Sequence, residues 1–308
     1  MTPQPGASIV VVGGLNMDIH LFGARRGSSG PLTAENYLVE PGGKGANQAR
    51  AASRLGSSVS LVGQVGDDEF GAMCVEAVAS DGVRTEAVGV ASETRTGFVV
   101  IELVSGHHIT RVFVPGANNM LSWSAVETAL QREPACGAVL CQAEVPAPVL
   151  HGLVEWCRAR TIPLFLDPAP PNAVTPAVLT SAEVVTPDMD EAGGLAGRVV
   201  DDEVTARLAV GDLLALGARR VVVKLGALGS LWAEADHPPM LVPTLDVEAV
   251  DETGAGDVFI AALATARIGG SPWEEAVRLA NVASALSVAA PGLYLPTWDE
   301  VVDAARQG

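Results

Sequence analysis

The sequence predicts an α/β fold, a mainly parallel sheet covered by helices on both faces, together with a smaller β element. Three observations carry this expectation. A β-branched run from Ser8 to Val12 ends at Gly13-Gly14, as a buried first strand does when its C-terminal end opens on a site. From Cys136 onward short apolar runs (138–141, 162–166, 184–185, 220–223) alternate with amphipathic helical stretches, as parallel strands and crossover helices do. Between 97 and 114, two runs of alternating polarity (97–103 and 109–114) flank Ser105-Gly106 and read as a hairpin.

Composition narrows the class. The 308 residues are 48% hydrophobic, which suits one large domain over 1–308, and the net charge of -17 opposes binding to nucleic acid or an anionic membrane. Phosphate chemistry in such a chain must rest on backbone donors, a few cations and metal, so a small-molecule substrate is expected. Cys74, Cys136, Cys141 and Cys157 form no Cys-x-x-Cys pair and have no His at zinc spacing, which predicts buried free thiols in a reducing compartment. There is no charged N-terminal segment leading into an apolar stretch, and no apolar run reaches about 18 residues, so a soluble, cytoplasmic protein is expected.

Along the chain, Gly13-Gly14 is followed by Leu15-Asn16-Met17-Asp18, so the dinucleotide fingerprint Gly-x-Gly-x-x-Gly is absent. Asn16 and Asp18 lie two apart. In a second strand they share a face and can hold a polyol, whereas in an Asx turn they serve only the backbone. The stretch 21–31 turns to Gly, Ser and Arg and reads as a loop. In Glu40-Pro-Gly-Gly-Lys-Gly-Ala-Asn-Gln-Ala, Gly42 and Gly43 allow close approach of backbone to a ligand and Lys44 supplies a cation. A helix then runs over 46–55 to a C-cap at Gly56. This is not a Walker loop, because Gly45 follows Lys44. A strand is expected over 59–63, then a helix capped by Asp67 through about Ser80. His107 and His108 beside the hairpin turn are expected to be solvated.

The stretch from Val250 to Ala262, Val-Asp-Glu-Thr-Gly-Ala-Gly-Asp-Val-Phe-Ile-Ala-Ala, carries the sharpest signal. Gly254 and Gly256 flank one small residue and a helical run starts after Asp257, which is a ready-made anion site. A carboxylate there would repel phosphate, so Asp257 makes chemical sense as a base beside a phosphoryl group in transfer. The competing reading is a plain helix start, with Thr253 as N-cap and Asp257 favouring the dipole.

Gly-Gly-Lys-Gly-Ala-Asn-Gln (42–48) and Asp-x-Thr-Gly-Ala-Gly-Asp (251–257) resemble the two signature regions of the ribokinase-like carbohydrate kinases, and the match runs in order over nearly the whole chain. The resemblance implies a three-layer core of about nine strands and a small β lid from segments of about 15–40 and 88–115. It implies ATP-dependent phosphorylation of a primary hydroxyl, with a pentose, D-ribose, as the first choice and deoxyribose, a nucleoside or another sugar as alternatives. A non-catalytic sensor of sugar or nucleotide is the alternative of a different class.

By the same resemblance the sugar is held by Asn16, Asp18, Gly42, Gly43, Lys44, Asn47 and Glu144. Asp257 is the base, and the N–H groups of Gly254, Ala255 and Gly256 form the anion hole. ATP is contacted by Asp188, Lys224, Gly226, Gly229 and Asn281, and Glu191 holds Mg2+ through water. Asp188 stands where asparagine is usual, adding a negative charge, and the competing reading of Lys224 is a surface lysine at a strand end. Asp167-Pro168-Ala169-Pro170 resembles a family turn. A monovalent cation, potassium, is implied at Asp251, Thr253, Ser287, Ala290 and Gly292. Pro296 falls where a ligand serine is usual, which predicts weaker activation. The lid implies a homodimer, although Arg25-Arg26-Gly27-Ser28-Ser29-Gly30 replaces the usual lead-in.

Overall fold

The computed structural model describes residues 8–26, 32–104, 107–235 and 237–307. In chain order, β1 (Ser8–Val12) leads through Gly13-Gly14 into β2 (Asn16–Phe22), the short β3 (Arg25–Arg26) and β4 (Leu32–Thr33), and β5 (Asn36–Gly42). Helix α1 (Lys44–Arg54), β6 (Ser58–Gly66), α2 (Glu69–Ser80) and β7 (Arg84–Ala91) follow, then β8 (Gly97–Val104) and β9 (His107–Val114). The second half contains α3 (Trp123–Gln131), β10 (Cys136–Gln142), α4 (Ala147–Arg160), β11 (Leu164–Asp167), α5 (Pro176–Ser181), β12 (Val184–Val185), α6 (Met189–Ala196), α7 (Glu203–Ala215) and β13 (Arg220–Lys224). It closes with β14 (Ser230–Glu234), β15 (Met240–Val242), α8 (Ala255–Ile268), α9 (Trp273–Val288) and α10 (Trp298–Gln307).

Nine strands form the large sheet in the order β15-β14-β13-β12-β11-β10-β1-β6-β7. Every pairing from β7 to β13 is parallel, and β14 and β15 add on antiparallel. All five residues of β1 are buried, as expected for a central strand covered on both faces. One helical layer, with α1, α8 and α9 at its centre, packs around Phe259, Ile260 and Leu263; the other, α3 to α7, packs around Leu150, Leu153 and Leu213. The chain leaves β1 toward β6 on one side, while β10 lies on the other, so a crevice opens at the C-terminal ends of β1, β10 and β11.

Helix α8 is buried at every position from Asp257 to Ala266, so its first turn is held inside the molecule. At the opposite end of the sheet Trp273 stacks on Trp232 with centroids 5.7 Å apart, and the guanidinium groups of Arg220 and Arg267 lie 4.8 and 4.3 Å from its ring centre.

A second sheet has the order β5-β2-β8-β9, with β2 and β8 parallel and the other pairs antiparallel. Several expected boundaries move. Residues 88–91, assigned by sequence to the lid, belong to β7 and pair with β6 in the large sheet. The cap of α2 is Asp68 and not Asp67: Asp68 Oδ1 accepts from Gly71 N at 2.9 Å, and Asp68 Oδ2 accepts from Thr96 N at 2.9 Å. Part of the 21–31 loop is ordered as β3, paired antiparallel with β4. The turn at Ser105-Gly106, and residues 27–31, lie outside the described residues. Strand β9 begins at His107, two residues before the expected run of 109–114.

Candidate active site

Strand β2 brings Asn16 and Asp18 to one face, opposite Gly42 and Glu40 of β5, which settles their local structure as strand and not Asx turn. Asn118, in the 3-10 turn Gly116–Met120, donates from Nδ2 to Asn16 Oδ1 at 2.8 Å and accepts from Leu15 N at 3.0 Å. Nothing in the sequence pointed to Asn118. A Cβ on Gly42 would lie 2.1 Å from Asp18 Oδ2, so the carboxylate occupies the place of a side chain. Gly43 has φ of 92° and backs onto Asn16 N, a conformation only glycine adopts freely.

Helix α1 starts at Lys44 and carries three polar side chains toward α8 and β11. Lys44 Nζ lies 2.9 Å from Asp167 Oδ2. Asn47 Nδ2 donates to Asp257 Oδ2 at 3.2 Å, and Gln48 Nε2 donates to Asp257 Oδ1 at 3.0 Å. Thus Lys44 and Asn47, read from the sequence as sugar ligands, are hydrogen-bonded in this structure to Asp167 and to Asp257 respectively. Asn47 Oδ1 is buried and accepts no hydrogen bond, so it remains able to face a hydroxyl. Asp167 and Gln48 stood within quoted motifs, but their pairing across 119 residues left no sequence signal.

Gly254 caps α8 in the left-handed region at φ of 72°, with no side chain capping the helix. Thr253 is therefore not the N-cap; its N–H donates to Asp251 Oδ1 at 2.9 Å. Ala255 N–H turns to Glu252 O at 3.2 Å, while Gly256 lies against Lys224, whose Nζ would be 3.2 Å from a Cβ placed there. A helix N-terminus and a lysine thus meet beside Asp257, as an anion site requires.

The acids crowd one another. Burial raises the Asp257 carboxyl above its ordinary value, with Lys44 and the amides of Gln48 and Asn47 working in the opposite direction. Burial lifts Asp18 and Glu144 each to about 7, and each feels the charge of Asp257. Asp167, also pushed up by burial, is carried below its ordinary value by Lys44 and Lys224. His20, on the same face of β2 as Asp18, places Nε2 3.1 Å from Glu40 Oε1.

On the far side of the crevice, Asp188 caps α6 by accepting from Glu191 N at 2.8 Å, and Glu191 Oε2 accepts from Asp188 N at 2.8 Å. The extra charge of Asp188 therefore sits at a helix N-terminus, where the dipole favours it. Lys224 Nζ is 3.9 Å from Glu191 Oε2, so this lysine faces the carboxylate at the start of α6 and is not a lone surface charge. Gly226 is open to the surroundings, whereas a Cβ on Gly229 would meet Val242 O at 2.2 Å, a demand of the backbone itself. Asn281 is buried and donates to Val242 O at 2.8 Å, which fixes the segment leading away from β15.

Asp251 draws the last loop inward. Its Oδ2 accepts from Gly292 N at 3.0 Å, and these N–H donors outweigh burial, leaving the carboxyl below its ordinary value. Ser287 Oγ donates to Tyr294 O at 2.9 Å, and Ser287 O accepts weakly from Ala290 N at 3.4 Å. Asp251, Thr253, Ser287, Ala290 and Gly292 are thus brought to one loop cluster, with several of their oxygens already bonded.

A model of the pfkB family carbohydrate kinases matches residues 7–300. The chain is 34% identical to a ribokinase of Bacillus subtilis (strain 168) over 297 residues, which cover 96% of this chain and 98% of that relative. It is 29% identical to a deoxyribokinase of Salmonella typhi over 286 residues, covering 92% of this chain and 93% of the relative. The structure of Arabidopsis thaliana ribokinase complexed with ribose and ATP matches with a TM-score of 0.86 at 28% identity, over 98% of this chain and 99% of that one. Fold and similarity over nearly the whole span agree: this chain belongs to the pfkB family of carbohydrate kinases.

Proposed function

We propose that the chain transfers the γ-phosphoryl group of ATP to the primary hydroxyl of a pentose, with D-ribose giving ribose 5-phosphate as the first assignment. The observation that carries it is the placement of Asp257: a buried carboxylate, both oxygens held by amides, in the first turn of a helix whose N-terminus no side chain caps. Asp257 accepts the proton of the attacking hydroxyl, and the N–H groups of Gly254, Ala255 and Gly256 with Lys224 steady the phosphoryl oxygens. Ala255 contributes once its turn to Glu252 O opens. Asn16, Asp18, Gly42, Gly43, Asn47 and Glu144 hold the sugar, and Lys44 holds the acid cluster together from within. Asp188, Gly226, Gly229 and Asn281 line or shape the nucleotide side.

Mg2+ and potassium fit the residues present. Among the described residues no group of three or more His, Cys, Asp or Glu side chains converges on a metal position; Mg2+ would be brought by the phosphates of ATP. Glu191, one oxygen of which is occupied by its capping role, would hold it through water, and Mg2+ would supply charge neutralisation. Potassium would be held by the ionised Asp251 and by oxygens of Thr253, Ser287, Ala290 and Gly292, steadying the start of α8.

The second sheet acts as the lid. Tyr37 (67% exposed), Leu38 and Phe113 leave apolar surface on it, which supports pairing with a second copy. Four free cysteines, three of them buried, fit a cytoplasmic protein; among the described residues no helix is long and apolar enough to cross a membrane.

The similarity to a deoxyribokinase favours 2-deoxyribose as a second reading. Both are tested by coupled ADP release with Mg-ATP over pentoses, 2-deoxyribose, hexoses and nucleosides. The highest kcat/KM is expected on D-ribose; a higher value on 2-deoxyribose selects the second reading. Tight sugar binding without turnover would replace catalysis by sensing. Asp257→Asn is expected to lower turnover by about two to four orders of magnitude at nearly unchanged sugar KM.

A further inference from the structure

Gln48 is fully buried and has no place among the sugar, nucleotide or cation ligands. Its Nε2 lies 3.0 Å from Asp257 Oδ1 and 3.2 Å from Asp167 Oδ2. An amide nitrogen has two hydrogens, so one goes to each carboxylate. Its Oε1 accepts from Gln142 Nε2 at 2.5 Å. The opposite amide orientation would set an oxygen against two carboxylates, so the network fixes which end is nitrogen. Gln142 is the last residue of β10, two before Glu144, and Asp167 is the last residue of β11.

We propose that Gln48 is a positioning residue for phosphoryl transfer: it fixes the plane of the Asp257 carboxylate and ties it, through one shared nitrogen, to the Lys44–Asp167 pair and the end of β10. This rests on Asp257 being the base. A carboxylate turns readily about its last side-chain bond, and a displacement of about 1 Å at a reacting group can cost roughly a hundredfold in rate. Asn47 and Gln48, adjacent in α1, grip one oxygen each and remove that freedom. The charged groups acting on Asp257 are Lys44 from α1, Asp167 from β11, Asp18 from β2 and Glu144 after β10, with Lys224 beside Gly256. Donation from Gln48 favours the ionised form of the base against its burial.

The test is Gln48→Met in the full chain, a change that keeps length and removes both donor and acceptor, with unfolding followed in parallel. The kcat is expected to fall about 10- to 100-fold while the KM values for D-ribose and ATP stay within about threefold. The acid limb of kcat against pH moves to higher pH, because the base loses a bond that favoured its ionised form. In an Asp257→Asn background the same change alters residual turnover by less than about twofold. A kcat within about threefold of the parent overturns the proposal, as does a loss of kcat with an unmoved acid limb, which would mark Gln48 as packing only. If Asp257→Asn itself turns over normally, the assignment of the base has failed, a result distinct from failure of Gln48 alone. Should Gln48→Met not fold, Gln142→Met removes only the donor that orients the Gln48 amide. A smaller kcat loss with the same direction of limb shift is then expected, and an unmoved limb overturns the proposal.

Discussion

Lys44 Nζ and Asp167 Oδ2 form an ion pair at 2.9 Å, between a lysine side chain 27% exposed and a carboxylate 1% exposed. Removing the lysine strands a buried charge, while removing the acid leaves a lysine that can still reach water. Lys44→Met is therefore expected to destabilise the fold by about 2 to 4 kcal/mol at pH 7, less than for a fully buried pair because the lysine is partly hydrated. Asp167 is held below its ordinary value of 3.8, so the pair's contribution is complete above that value and lost as pH falls through the folded value. Urea unfolding of parent and variant checks this. Equal stability at pH 7, or a difference that widens in acid, would contradict it.

Asp18 makes sugar binding depend on pH. Burial raises its carboxyl to about 7, with Glu40 and Asp257 adding to the rise and His20 opposing it. Sugar hydroxyls donate best to the ionised form, so the KM for D-ribose is expected to fall between about pH 6 and 8, and Asp18→Asn should raise that KM about tenfold or more. In the sugar-free protein the sign reverses. A carboxyl whose folded value lies above the unfolded one binds its proton more tightly when folded, so stability is lost as pH rises from 3.8 to about 7. Asp18→Asn should therefore melt higher than the parent at pH 8 and show a smaller gain at pH 5. A KM flat across the range and unchanged in the variant would remove Asp18 from the sugar site.

Gly42 tests the close approach of strand and carboxylate. An added methyl would fall 2.1 Å from Asp18 Oδ2, so Gly42→Ala must displace that side chain or the strand bearing it. The expected result is a D-ribose KM raised about tenfold, with the ATP KM within about twofold. Equal rises in both KM values would mean that the whole crevice has shifted.

Potassium should activate, but at higher concentration than in a typical ribokinase-like enzyme. Both oxygens of Asp251 already accept N–H bonds and Ser287 donates its hydroxyl to Tyr294 O, so a cation competes with bonds in place. Pro296 offers no hydroxyl in compensation. Initial rates against potassium chloride, with tetramethylammonium chloride holding ionic strength, measure it. A flat curve would mean no functional cation site, and saturation at low millimolar potassium would mean that these bonds yield readily.

The sheet was legible wherever strands are short, apolar and bounded, as at Ser8–Val12 and Val184–Val185. It was not legible at Arg84–Ala91, whose residues are mostly half-buried, or at the antiparallel pair β14 and β15, where brief apolar runs suit helix or strand equally. The signature regions pointed to Asp257, the turn before it and the paired glycines. Local sequence could not say that Lys44 would face Asp167, 123 residues away, or that Asn118 would hold Asn16, 102 residues away. Neighbouring acids were similarly ambiguous: the N–H of Gly71 decides that Asp68 and not Asp67 caps α2, and Thr96, brought in by the fold, holds the other carboxylate oxygen.

Helix α8 is enclosed on every side, and this bears on how the molecule can diversify. A larger side chain anywhere from Val258 to Ala266 meets packed neighbours, so variation in that helix is filtered by folding before activity comes into play. Strands β2 and β5 carry half-buried and exposed positions on the Asp18 face, such as Leu38 and Glu40, where a substitution reshapes the sugar side without disturbing the base. New sugar preferences in this lineage should therefore accumulate in the second sheet, while the phosphoryl-transfer apparatus descends nearly unaltered.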